Sequence, residues 1–160
     1  DHDYIGRAAL EAMSNQPHRK KVTLVWNAED VLGVMQSQFE DAEGDKPLPI
    51  TLPLAATARM HYDRVTDTAG NTIGLATYPG YTANERAMMS LASLDAEFTE
   101  PGTEVVLLWG EDGGGGRSAG NLEKHRQVKI RATVAPSPIS RAAQSYRSAI
   151  GIKRGSVQDV

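Results

Sequence analysis

The clearest strand signals in the chain are Val105-Val106-Leu107-Leu108-Trp109 and Val128-Lys129-Ile130-Arg131-Ala132-Thr133-Val134. The first is a short apolar run between Pro101-Gly102 and Gly110, which is typical of a buried strand with a turn at each end. The second alternates apolar and polar residues, which predicts a strand with one face in a core and the other in water. The residues from Gly113 to Gly116 predict a loop. We therefore expect two strands joined by a glycine-rich connection.

Size and composition indicate an ordinary globular domain. The chain has 160 residues and a net charge of −3, which suits one domain with a core of its own and lacks the basic surface of a nucleic-acid-binding protein. It has no cysteine, which excludes thiolate chemistry and fits a reducing compartment. No apolar run approaches the roughly 20 residues that span a bilayer. We expect a cytoplasmic protein without a nucleic-acid or membrane partner, and the start at Asp1 suggests a piece of a longer polypeptide.

The N-terminal part predicts a helix, a strand and a second helix. Apolar residues at helical spacing predict a short helix over Ile5 to Met13, and alternation predicts a strand over Lys21 to Trp26. Asn27 is suited to cap a helix over Glu29 to Phe39. Residues 40–58 combine acidic residues with three prolines, which favours a solvated loop.

The middle of the chain predicts a hairpin. Its strands are Met60 to Val65 and Thr72 to Thr77, joined by the turn Asp67 to Asn71. Tyr78-Pro79-Gly80-Tyr81 predicts a second corner. The run Ala87 to Leu94 fits a helix as well as a buried strand, so periodicity alone leaves both open.

The segment from Ser140 to Ile150 predicts a final helix. Together, the predicted elements indicate one domain with four parts. These are 1–39 packing on a barrel, the loop 40–58, a β-barrel over 59–136, and a helix and tail over 137–160.

Local motifs do not form a complete catalytic site. The glycine run lacks the lysine and the spacing of a phosphate-binding loop, so a flexible hairpin loop is the better interpretation. The four histidines are too scattered for a metal motif. His61 and Asp63 share a strand face and could form an acid–base pair, but an exposed hydrogen bond is the more common outcome of that spacing. We therefore predict no catalytic residue and no metal ligand in this chain.

The corner after the hairpin carries a cluster of residues suited to binding, namely Tyr78, Tyr81, Asn84, Glu85 and Arg86. Two aromatic rings, an amide and a guanidinium could face a flat, anionic ligand or another domain. The alternative is a structural corner whose tyrosines cover the end of a barrel. Arg117 and His125 are weaker candidates for the same cleft.

Several stretches together resemble the C-terminal region of the aminomethyltransferase family, the glycine cleavage system T protein and its relatives. They are Tyr4 to Leu10, Arg19 to Val25, Gly70 to Gly74 and Glu100 to Val105. Other stretches are similar to the tetrahydrofolate-dependent O-demethylases of vanillate, syringate and related acids: Tyr81 to Arg86, Trp109 to Glu111, His125 to Gln127 and Ile130 to Pro136.

The resemblance implies a mainly β fold, a small antiparallel β-barrel with short flanking helices, in which Ala87 to Leu94 is a buried barrel strand. It implies tetrahydrofolate as the cofactor of the full-length enzyme and a methoxyaromatic substrate. It also implies an N-terminal folate-binding portion that this chain lacks, so the isolated chain is predicted to be inactive. Tyr78, Tyr81, Asn84 and Arg86 would then lie on the folate side or at the domain interface.

Two other functions remain open at this point. One is a non-catalytic β-barrel that binds another protein or stabilises an oligomer. The other is an oligonucleotide-binding barrel, which the acidic charge and the nine aromatic residues disfavour.

Overall fold

A computed structural model describes residues 4–14, 16–40, 44–50, 62–113, 124–140 and 145. The chain forms two compact units, Arg19–Ser137 and the two terminal segments Asp1–His18 and Pro138–Val160. Several predictions fall outside the described residues: His61, Arg117, Gly114 to Gly116, and most of the final helix.

The larger unit is built around six antiparallel strands: β1 (Lys20–Trp26), β2 (Asp63–Thr66), β3 (Thr72–Thr82), β4 (Ala87–Leu94), β5 (Glu104–Trp109) and β6 (Val128–Ala135). They close into a barrel in the order β1-β4-β3-β2-β5-β6. Two short helices complete the described structure, α1 (Arg7–Met13) and α2 (Ala28–Gln36), with a 3-10 turn at Ala96–Phe98. The predicted mainly β fold, a small antiparallel barrel with short flanking helices, is confirmed.

Alternation of side chains explains how the strands form one core. Strands β5 and β6 pair as expected, with Val105 opposite Ala132 and Leu107 opposite Ile130, and these four side chains are buried. In β4, every second residue from Met88 to Leu94 is buried. This period of two identifies the ambiguous run as a barrel strand, because a helix would bury residues three and four apart.

Strand β1 belongs to the barrel, whereas the expected barrel span of 59–136 leaves it out. It pairs with β4 on one side, Lys20 opposite Leu94, and with β6 on the other, Trp26 opposite Ala132. Both pairings join segments far apart in the sequence, so the local pattern that predicted a strand could not show which strands it would bridge.

The predicted corner at residues 78–81 is wrong: strand β3 continues through it to Thr82. The register between β3 and β4 shifts between Thr77 and Gly80, and Tyr78 has a φ of 51°. Pro79 has no N–H to give to the ladder. A bulge accommodates that proline without ending the strand.

Helix α2 is capped and anchored as its sequence requires. The Asn27 side chain accepts a hydrogen bond from the backbone N–H of Asp30 at 3.1 Å, and Val31 and Val34 are buried. Arg131 on β6 forms an ion pair with Asp30 at 2.7 Å, and its hydrogen bonds hold the pKa of that carboxyl below its usual value. The helix is therefore tied to the barrel wall. In the smaller unit, α1 buries none of its side chains.

Candidate functional site at one end of the barrel

Strand direction places the polar groups of interest at one end of the barrel. In an antiparallel barrel, the C-terminal ends of β1, β3 and β5 lie beside the N-terminal ends of β2, β4 and β6. This end carries Asp63 at the start of β2, Gly110 and Glu111 after β5, His125 before β6, and the turn 83–86 between β3 and β4. We call it the Asp63 end.

Asp63 points into the barrel interior. It is 4% exposed and pairs with Ala76 on β3, on the same inward face as Val65. The interpretation of Asp63 as half of an exposed pair is therefore wrong. The period of two explains why: Val65 belongs to the core, so a residue two positions earlier faces the core as well.

The burial of Asp63 changes its acidity. The pKa of this carboxyl rises to about 7, chiefly because burial removes solvation; the backbone N–H of Gly110 opposes the rise, and the nearby charge of Glu111 adds to it. Among the residues that the structure describes, its Oδ2 atom has no hydrogen-bond partner. Near neutral pH this group can therefore gain or lose a proton.

His125 fixes the backbone at the end of β5. It is 3% exposed, and its Nε2 accepts a hydrogen bond from the backbone N–H of Glu111 at 2.9 Å, so the proton of a neutral ring lies on Nδ1. Gln127 donates to the Gly110 carbonyl at 2.8 Å. A Cβ at Gly110, whose φ is 107°, would lie 3.1 Å from the His125 ring. This close approach favours glycine there.

Two tryptophans close the barrel at the Asp63 end. Trp26 and Trp109 meet edge to face with ring centroids 5.4 Å apart. Trp26 Nε1 donates to Ser90 Oγ at 3.0 Å, and Trp109 Nε1 donates to the carbonyl of Leu48 at 2.7 Å. The second bond secures the segment after α2, whose Leu48 and Ile50 are buried.

The four predicted binding residues, Tyr78, Tyr81, Asn84 and Arg86, lie on the β3–β4 hairpin at the same end. Tyr78 is 62% exposed and Tyr81 53%, and Asn84 and Arg86 are exposed in or beside the turn. Tyr78 and Arg86, each with a φ of 51°, are the two non-glycine residues with positive φ in the part of the chain that the structure describes. Such backbone strain is concentrated at functional sites.

The local sequence indicates the exposed residues of this candidate site but not the buried ones. The hairpin tip was visible from its aromatic and polar residues. Local spacing pairs Asp63 only with His61, and it gives Glu111 no role in a binding site. The pairing of β2 with β5, Arg64 opposite Leu108, brings Asp63 and Glu111 together, and no local spacing encodes it.

The described ranges contain no group of three histidine or acidic side chains arranged to hold a metal ion. Within the same ranges, no helix is long and apolar enough to cross a bilayer.

Comparison with known proteins identifies relatives. Syringate O-demethylase of Sphingobium sp. (strain NBRC 103272 / SYK-6) is 45% identical over 145 residues, 91% of this chain and 30% of that protein. Sesamin methylene transferase of Sinomonas sp. (strain No.22) is 32% identical over 120 residues, 71% of this chain and 26% of that protein. The crystal structure of glycine cleavage system aminomethyltransferase T from Bartonella henselae is 18% identical, covers 84% of this chain and 25% of its own, and superimposes with a TM-score of 0.46. No protein-family model matches.

Together the fold and the sequence relatives define a class. This is a closed six-stranded antiparallel barrel whose sequence relatives include a syringate O-demethylase and a sesamin methylene transferase. The chain belongs to the aminomethyltransferase family as a C-terminal domain related to the O-demethylases, as the resemblance indicated. It spans less than a third of the length of the curated relatives it matches.

Proposed function

We propose that the chain is the C-terminal domain of a tetrahydrofolate-dependent one-carbon transferase that removes a methyl group from a methoxyaromatic acid. The observation that carries the proposal is the 45% identity to syringate O-demethylase over 91% of the chain. In the proposal, the missing N-terminal portion binds folate and substrate, and this domain supports it. The enzyme works in the cytoplasm.

The four hairpin residues are proposed to face the folate or the partner domain. Tyr78 and Tyr81 expose aromatic rings to solvent, and such rings can stack on a flat heterocycle. The Arg86 guanidinium can pair with a carboxylate, and the Asn84 amide can donate and accept hydrogen bonds. The positive φ of Tyr78 and Arg86 supports this role, since strain of this kind persists where function selects it.

In the proposal, this domain helps to position the folate and does not itself carry out the methyl transfer. Tetrahydrofolate supplies the nitrogen that accepts the methyl group. The transfer requires that nitrogen in line with the methyl carbon and an acid for the ether oxygen, so positioning is a large part of catalysis. Residues on a rigid barrel hairpin can orient one side of the folate while the rest of the enzyme holds the substrate.

The first test compares this chain with a longer protein that also contains the preceding portion. We expect calorimetry to detect tetrahydrofolate binding by the longer protein only, and demethylation of syringate or vanillate by the longer protein only. Turnover by the 160-residue chain alone would contradict the supporting role. Absence of both activities from the longer protein would contradict the proposed function.

A second test addresses the hairpin in the longer protein. Tyr81→Ala should weaken tetrahydrofolate binding about tenfold, because it removes one stacking surface. Arg86→Gly should weaken binding similarly while leaving the melting temperature unchanged or higher, because glycine adopts a positive φ without strain. Leu75→Ala, at an exposed apolar position earlier on β3, is the matched control. Equal affinities in all three variants would exclude the hairpin from the folate site.

The alternative is a non-catalytic interaction or oligomerisation module. Its support is the exposure of Tyr62, Leu75, Tyr78 and Tyr81 on the barrel surface. Concentration-dependent self-association of the chain, together with no folate binding by the longer protein, would favour it.

A further inference from the structure

Asp63 occupies a position where the barrel would be more stable with an apolar residue. Its neighbours on the inward face, Val65 and Ala76, are fully buried. A buried polar atom without a partner destabilises the folded state, and within the described residues Asp63 Oδ2 is such an atom. An oxygen that the fold buries and leaves unpaired is suited to receive a donor from outside the described structure.

The groups around Asp63 determine which donor that is. Glu111, half-buried after β5, is close enough for its charge to act on the Asp63 carboxyl. Within the described ranges, no lysine, arginine or histidine forms an ion pair with either carboxylate. The adjacent arginine, Arg64, is exposed and pairs with Asp112 at 3.4 Å. His125 presents its Nε2 to the backbone of Glu111.

The environment is therefore negative and rich in acceptors. An anion would be repelled, and a neutral donor would satisfy the oxygen but leave the repulsion between the two carboxylates. A cation with N–H groups would satisfy both requirements. Such charge-assisted hydrogen bonds are about twice as strong as neutral ones.

We propose that Asp63 and Glu111 form a binding site for a guanidinium or ammonium group at the Asp63 end of the barrel. Asp63 Oδ2 accepts an N–H hydrogen bond from that group, and Glu111 contributes the second negative charge. The cation belongs either to a small ligand or to an arginine or lysine side chain of another polypeptide segment. The site is independent of the proposed function, because it involves neither the folate nor the transferred methyl group.

The test titrates the chain with methylguanidinium chloride, at concentrations far below those that unfold proteins, while NMR follows the carboxyl carbon of Asp63. Binding should lower the pKa of Asp63 by about one unit. The affinity should be about tenfold higher at pH 8 than at pH 6, because the ionised carboxylate is the binding form. Tetramethylammonium, which has the charge but no N–H, should have no more effect than sodium chloride.

Variants separate the site from general charge effects. The variants are compared by calorimetric titration with methylguanidinium, because Asp63→Asn lacks the carboxyl that NMR follows. Asp63→Asn should abolish the heat of binding and Glu111→Gln should weaken the binding, whereas Glu104→Gln, at an exposed carboxylate on β5, should leave it unchanged. A response that persists in Asp63→Asn, or one that tetramethylammonium reproduces, would overturn the proposal, as would no response at all.

A further arm distinguishes the two sources of the cation. If a protein side chain is the occupant, a blocked tripeptide with a central arginine should bind at least as tightly as methylguanidinium. If a small ligand is the occupant, the bulk of the peptide should reduce the affinity. Binding of neither probe would overturn the site itself.

Discussion

Replacing Asp63 by asparagine is expected to remove a large part of the pH dependence of stability between about pH 4 and pH 7. The pKa of Asp63 rises from 3.8 to about 7 on folding, so the folded chain holds a proton that the unfolded chain releases. The stabilising contribution of this proton is fully present below pH 3.8 and is lost as the pH rises through about 7. Each pH unit in that window lowers the free energy of unfolding by about 1.4 kcal/mol, about 4 kcal/mol in total.

The measurement is denaturant unfolding of the parent chain and of Asp63→Asn at several pH values from about 4 to 8. Groups that titrate in both proteins cancel, so the difference between the curves reports Asp63. Glu104→Gln removes an exposed carboxylate and should leave the curve parallel to that of the parent. Parallel curves for Asp63→Asn and the parent would show that Asp63 is not buried as described.

Replacing Gly74 by alanine is expected to destabilise the barrel by about 3 kcal/mol and to lower the melting temperature by roughly 10 °C. Gly74 lies on β3 between Val65 of β2 and Leu94 of β4. An added Cβ would lie 2.7 Å from Leu94 Cδ2 and would collide with the backbone carbonyl of Ser93. The backbone contact cannot be relieved by a change of rotamer, so the sheet itself must shift.

Gly33→Ala is the matched control for this substitution. A Cβ at Gly33, in the middle of α2, meets nothing within 4 Å, and alanine favours a helix by about 1 kcal/mol over glycine. Thermal melts should therefore move in opposite directions for the two variants. A Gly74→Ala protein as stable as the parent would contradict the close approach of β3 and β4.

Local sequence patterns predict most of the strands but not the order in which the strands pair. Strands β5 and β6 follow directly from an apolar run and a clean alternation, and Asn27 marks the start of α2. The bulge at Tyr78 has the sequence of a corner, because proline and glycine occur in turns as well as in bulges. The place of β1 depends on pairings across most of the chain, which no window of sequence displays.

In the candidate site, too, some residues are predictable from local sequence and others depend on strand pairing. Exposed tyrosines and an arginine beside a turn are visible in the sequence, so Tyr78, Tyr81, Asn84 and Arg86 could be selected in advance. The acidity of Asp63 arises from burial and from Glu111, which lies 48 positions further along the chain. Only the closed barrel places these two residues together.

The strand order of the barrel also bears on how fast the chain folds. Strands β2, β3 and β4 are consecutive and can pair through short turns, whereas β1 pairs with β4 and β6, more than 60 residues away. Chains whose contacts are this distant in sequence fold slowly, because loop closure precedes the gain from pairing. The last event is expected to be the insertion of β1, which joins the open edges of β4 and β6. Until then both edges are exposed to other chains, so dilute conditions should favour correct refolding.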